Sequence, residues 1–177
     1  MRIIAGSARG TVLYAPPGNR VRPTSDRVRE ALFSILGERT ADVWALDAYA
    51  GAGTLGLEAL SRGAARCDFI EPDRGVLRYL KKNIQRTRFS DRARLFNMRL
   101  ERFVAGWGEG DEPYGLVFAD PPYGGDPAGV ARLLQPLIGG LLVLEAYVKA
   151  GVPSFEGYEL ADYRRYGKTA LFFLERR

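Results

Sequence analysis

The strongest constraint on this chain is an alternation between short apolar runs and segments of helical period, kept up from about residue 43 to residue 145. Val43-Trp44-Ala45-Leu46-Asp47 is too short for a helix and too continuous for a half-exposed strand, so it predicts a buried strand. An apolar helix follows, ending near Ser61-Arg62-Gly63. Cys67-Asp68-Phe69-Ile70 predicts a second strand, closed by Glu71. From Pro72 or Asp73 to Gln85, the residues Val76, Leu77, Leu80 and Ile84 share one helical face. Ala93 to Asn97 then predicts a strand, Leu100 to Ala105 a short helix, Leu116 to Ala119 a strand, Ala128 to Leu137 a helix and Gly140 to Glu145 a strand. Such a rhythm requires crossover connections and hence a parallel, doubly wound α/β sheet. Gly157–Tyr163 and Thr169–Glu175 alternate in polarity, as a closing antiparallel pair would. The expected fold is therefore a Rossmann-like α/β sheet of seven strands, mostly parallel.

Residues 1–40 break this rhythm. Segments 2–5 and 10–14 predict a hairpin, Pro16 to Arg20 a loop, and Asp26 to Leu36 a helix capped by Thr24 or Ser25. Val28, Ala31, Leu32 and Ile35 fall at helical spacing. We expect a small N-terminal extension over residues 1–40 and an α/β body over residues 41–177.

Charge separates the same two parts. Residues 1–40 hold seven Arg against three acids, residues 41–163 hold 14 bases and 17 acids, and residues 164–177 are again basic. Basic termini suit an anionic partner. Arg9, Arg20, Arg22, Arg27 and Arg29 are the candidate phosphate contacts of the N-terminal segment. The chain contains no histidine and one cysteine, Cys67. Histidine-based triads and an intrachain disulfide are excluded, and no metal is expected. Cys67 is expected to be a small buried residue. No apolar run reaches the roughly 20 residues of a membrane span, and the start lacks the apolar core of a signal peptide. A cytoplasmic location and no membrane partner are the expectations.

In an open α/β sheet, ligands lie beyond the C-terminal strand ends. Three predicted strand ends carry notable residues. After Asp47 comes Ala48-Tyr49-Ala50-Gly51-Ala52-Gly53-Thr54-Leu55-Gly56, where the glycines let backbone approach a ligand. Glu71 follows about 20 residues later, where an acid can accept both hydroxyls of a ribose. Gly51-x-Gly53-x-x-Gly56 also fits a nicotinamide dinucleotide, but Asp47 would lie against its pyrophosphate and repel it. The carboxylate suits a donor with an amino group, such as S-adenosylmethionine. The fourth strand ends in Asp120-Pro121-Pro122-Tyr123. Two prolines stiffen that loop, so a carboxylate, a proline carbonyl and an aromatic ring are held in fixed relation. Those groups match a planar base with an exocyclic amine.

These motifs resemble those of class I S-adenosylmethionine-dependent amino-methyltransferases. Arg2-Ile3-Ile4-Ala5-Gly6, Arg22-Pro23-Thr24-Ser25-Asp26-Arg27-Val28-Arg29-Glu30-Ala31-Leu32-Phe33, Gly56-Leu57-Glu58-Ala59-Leu60-Ser61-Arg62-Gly63-Ala64 and Tyr166-Gly167 resemble the RsmD family in particular. The resemblance covers nearly the whole chain. It implies a class I methyltransferase fold and methylation of N2 of a guanine in bacterial 16S ribosomal RNA. The implied substrate is an assembled small-subunit (30S) particle, with the enzyme acting as a monomer. It implies catalytic roles for Asp120, Pro121, Pro122 and Tyr123, and donor contacts from Asp47, Tyr49, Gly51, Gly53, Glu71, Leu100 and Asp120. The family pattern breaks after the third strand, where Arg99 stands in place of an acid or Asn. The backbone N–H of Leu100 and apolar packing, or Asn97 in a shifted register, are the alternatives for holding the donor adenine. The Asp-Pro-Pro-Tyr motif alone does not separate guanine from adenine. Adenine in DNA, a protein glutamine, and a non-catalytic RNA-binding assembly role are the competing readings.

Overall fold

The computed structural model describes residues 1–17, 25–108, 110–122 and 125–177. The first helix, α1 (Asp26–Leu36), is capped by the Ser25 hydroxyl, which accepts from the Val28 N–H at 3.3 Å. Strand β1 (Trp44–Asp47), helix α2 (Thr54–Ser61) and strand β2 (Arg66–Ile70) form the first crossover. Helix α3 (Arg74–Thr87) starts at Asp73, whose carboxylate accepts from the Gly75 and Val76 amides. Strand β3 (Ala93–Phe96), helix α4 (Leu100–Ala105), strand β4 (Tyr114–Ala119) and helix α5 (Pro127–Leu134) continue the alternation. Strand β5 (Ile138–Tyr147) is followed by the antiparallel pair β6 (Tyr158–Tyr166) and β7 (Thr169–Arg176).

The strand order is β3-β2-β1-β4-β5-β7-β6. The pairs from β3 to β5 are parallel, while β7 runs antiparallel to both β5 and β6. The expected seven-stranded, mostly parallel sheet is therefore present. The chain reverses direction across the sheet between β1 and β4, which is where an open α/β sheet opens a crevice at its carboxyl edge.

Both faces are covered, as a parallel sheet requires. Alternate residues of single strands feed opposite cores: Leu141 and Val143 of β5 join one, Leu142 and Leu144 the other. The first core takes in α1, α2 and α3, together with Ile3 and Leu13 of the N-terminal segment. The second takes in Leu100 of α4, and Ala131 and Leu134 of α5.

The N-terminal hairpin forms around an Arg2–Val12 bridge, with the Ile3, Gly10 and Leu13 amides donating to the Thr11, Ile3 and Met1 carbonyls. It is fastened to α2 through Glu58, whose carboxylate accepts from the Ile4 and Ala5 amides at 2.7 and 3.0 Å. Glu58 also accepts from Arg62 at 2.8 Å and faces Arg29 at 3.9 Å. Asn83 of α3 holds the other end of the hairpin by accepting from the Tyr14 N–H and donating to its carbonyl. Cys67 is a free, fully buried thiol. Among the described residues no helix is long and apolar enough to cross a membrane.

Candidate active site

Four carboxylates stand at the carboxyl ends of four neighbouring strands. In spatial order they are Glu71 after β2, Asp47 at the end of β1, Asp120 after β4 and Glu145 near the end of β5. The strand order, which the sequence does not display, is what lines them up.

The first pair frames the glycine loop. One oxygen of Asp47 accepts from the Gly56 N–H at 2.9 Å, tying the strand end to the start of α2. Burial raises the Asp47 carboxyl to about 7, with the nearby Glu71 charge adding to the rise and the Gly56 amide opposing it. Glu71 bridges the loop and the next helix, accepting from Gly51 N–H at 3.0 Å and Asp73 N–H at 2.8 Å. Burial raises its carboxyl too. Gly51 and Gly53 have φ of +53° and +84°, the left-handed region in which glycine is strain-free. At Gly56 the constraint is steric, since a Cβ would meet the Phe69 ring at 2.3 Å and the Cys67 sulfur at 2.7 Å. Tyr49 lies half-buried in this loop. Leu100 is buried at the first position of α4. The Asn97 amide donates to the Glu71 and Pro72 carbonyls, so its nitrogen is committed to the loop after β2. Arg99 is exposed and does not cap α4 with its side chain.

The second pair faces a cavity. Asp120 follows Ala119, which pairs with Leu144, so the register sets Asp120 beside Glu145. Both line a cavity of about 340 Å³ with Pro121, Pro122, Tyr147 and Lys149. Asp120 is half-buried, and its carboxyl is pushed well above the usual range by burial, then by the charges of Glu145 and Asp47. Glu145 is 7% exposed, and the Thr169 hydroxyl lies 3.4 Å from its Oε1. Tyr123, the ring expected beside Asp120, lies outside the described residues.

The expected phosphate contacts divide. Arg9 and Arg27 are exposed, and Arg20 and Arg22 lie outside the described residues. Arg29 requires correction. It is fully buried, donates to the Arg2 carbonyl and to Asp26, and faces Glu58. It locks the N-terminal segment onto α1 and α2 and has no exposed surface with which to touch a phosphate. A basic surface that counts over long segments conceal lies on α3. Arg74, Arg78, Lys81, Lys82 and Arg86 are all exposed, and the helix contains no acid. Among the described residues none of the five is ion-paired. A groove of about 670 Å³ runs between this helix and Pro16-Pro17, lined by Arg78, Tyr79, Lys81 and Lys82.

The family model described as conserved hypothetical protein 95 matches residues 1–175. The chain belongs to this family, the RsmD family. Ribosomal RNA small subunit methyltransferase D of Escherichia coli K12 is 46% identical over 123 residues, which are 70% of this chain and 60% of that protein. Its namesake in Haemophilus influenzae is 40% identical over 124 residues, 70% of this chain and 64% of that protein. The matched stretch thus spans less than two thirds of either relative. Among solved structures, the Escherichia coli protein yhhF superposes with a TM-score of 0.87 at 38% identity, covering 100% of this chain and 98% of that one. A hypothetical protein of Thermus thermophilus superposes at 0.85 and 35% identity, with 99% of each chain covered. The RsmD-family fold therefore extends over the whole chain, N-terminal segment included.

Proposed function

We propose that this chain is an S-adenosylmethionine-dependent methyltransferase that modifies the N2 amine of a guanine in small-subunit ribosomal RNA, presented in an assembled particle. The observation that carries the reading is the carboxylate row at the strand ends, split into a loop-framing half and a cavity-facing half. The names of the family relatives support the reaction and the RNA.

The donor fits the first half. Gly51 and Gly53 bring backbone close to a ligand, Glu71 offers carboxylate lone pairs to ribose hydroxyls, and Asp47 offers a negative charge to an amino group. Tyr49 and Leu100 flank it, with the adenine against the start of α4. S-adenosylmethionine supplies an electrophilic methyl group.

The cavity beside Asp120 and Glu145 takes the base. The exocyclic nitrogen of guanine is a weak nucleophile because its lone pair is delocalised into the ring. The Asp120 carboxylate and the Pro121 carbonyl accept its two N–H bonds, aim the lone pair and stabilise positive charge as it develops on nitrogen. Pro122 holds the loop stiff, and Tyr123 stacks on the base. Loss of the proton after transfer, to Asp120 or to water, completes the step. Because the cavity lies past the strand ends, the base must be unpaired or flipped out to enter.

RNA docks along the exposed Arg9 and Arg27 and along the α3 face, whose uncompensated cations match a phosphodiester backbone. Residues 1–40 serve to position the RNA, and residues 41–177 carry the transfer. The test is methyl transfer to 30S particles, naked small-subunit RNA, DNA and a glutamine-bearing protein in separate reactions. Transfer confined to the ribosomal substrates and abolished by Asp120→Ala is expected, and transfer only to DNA or protein would overturn the reading.

A further inference from the structure

Glu145 is the one member of the carboxylate row to which neither the glycine loop nor the Asp-Pro-Pro-Tyr motif assigns a task. Its position is specific. The β4–β5 register brings it beside Asp120, it is 7% exposed, and both acids line the same 340 Å³ cavity. The Thr169 hydroxyl of β7 lies 3.4 Å from its Oε1.

Two adjacent carboxylates on one cavity wall suit a ligand with adjacent donors. The candidate amines differ in this respect. Guanine presents N1–H directly beside its N2 amine, giving a continuous row of donors. Adenine places the acceptor N1 beside its amine, and a glutamine side chain places its carbonyl oxygen there. A carboxylate opposite either acceptor is repelled and left without a hydrogen bond, which costs affinity and so selects against the wrong substrate.

We propose that Glu145 is the specificity-determining residue of the site, accepting the N1–H of the target guanine while Asp120 accepts the neighbouring N2–H. The proposal rests on the reading of the chain as an RNA amino-methyltransferase. It adds what the Asp-Pro-Pro-Tyr motif lacks, a means of telling guanine from adenine. Glu145 does not act on the transferring methyl group. It holds the base by its ring edge, and the chemistry stays with Asp120 and Pro121.

The test compares small-subunit RNA carrying either guanine or 2,6-diaminopurine at the methylated position. Both bases offer the same 2-amine, but diaminopurine has an acceptor at N1. Wild-type protein is expected to favour guanine in kcat/KM by at least about tenfold, the discrimination of one good base-edge contact. In Glu145→Gln the amide nitrogen can donate to the diaminopurine N1, so the preference should collapse toward unity. Calorimetric binding of S-adenosylhomocysteine should be unchanged, which reports an intact fold. Wild-type protein with equal rates on the two bases would overturn the role of Glu145 without any variant. So would a folded Glu145→Gln that keeps the full preference. Wild-type protein that methylates neither RNA would overturn the substrate reading, and the role of Glu145 with it.

Discussion

The two halves of the carboxylate row differ in what they border. Asp47 and Glu71 accept hydrogen bonds from backbone amides of Gly56, Gly51 and Asp73, so they belong to the scaffold of the loop they serve. Asp120 and Glu145 stand side by side on a cavity, and the charge of Glu145 helps drive the Asp120 carboxyl upward. The first half is preorganised by its own peptide groups. The second lines a cavity and meets whatever N–H-bearing group enters. Preorganisation suits a donor of constant shape, whereas the crowded pair gains most from a ligand that brings several donors at once.

The sharpest way to break this comparison is to remove the acceptor on the cavity side. Asp120→Ala is expected to lower methyl transfer at least ~100-fold, as loss of a transition-state acceptor does, with donor affinity unchanged by calorimetry. A matching change on the loop side should act in the opposite sense. Glu71→Gln is expected to weaken donor binding roughly tenfold to hundredfold through lost charged hydrogen bonds, while turnover at saturating donor falls much less.

Acidity separates the halves further. Burial raises the Asp47 carboxyl to about 7, so below that pH it is protonated and the attraction proposed for a donor amino group would be lost. Donor affinity should be flat above about pH 7 and fall by at most about tenfold per pH unit below it. Asp47→Asn should flatten that profile. In the proposed mechanism methyl transfer needs Asp120 ionised, and its raised pKa places the expected acid limb above the ordinary carboxylate range. Glu145 on β5 and Asp47 on β1 raise it, and Lys149 lines the same cavity. Removing one negative neighbour with Glu145→Gln lowers the Asp120 pKa, so the acid limb should move to lower pH. A limb that stays in place would show that the two carboxylates are not coupled in solution.

The smallest expected effect lies outside both halves. Lys81→Glu with Lys82→Glu should weaken RNA binding several-fold at ~0.15 M salt and reduce the salt slope by about one for each phosphate no longer neutralised. Donor affinity should not change.

Much of this arrangement is legible in the sequence. The strand–helix rhythm specifies the parallel sheet because each apolar run is short and the segments between them are helical, α3 with one apolar face and α2 apolar nearly all round. Helix α1 matches its expected limits, Asp26 to Leu36, because Ser25 and Gly37 mark both ends. Glu145 was hidden for a topological reason: its partner Asp120 is 25 positions away, and only the parallel β4–β5 pairing joins them. Arg29 misled because burial of an Arg depends on what covers it, and here that is the hairpin tied down by Glu58. The α3 surface escaped notice because a segment count averages five cations on one helix against acids buried elsewhere, such as Asp68, Glu58 and Glu145.

The central claim is that the cavity half of the row receives a guanine of small-subunit RNA. Mass analysis of nucleosides from small-subunit particles, treated with the protein and isotopically labelled S-adenosylmethionine, tests it most directly. Labelled N2-methylguanosine, absent when Asp120→Ala replaces the wild type, is the predicted result. Label in N6-methyladenosine, or none in the RNA while the donor binds normally, would contradict it.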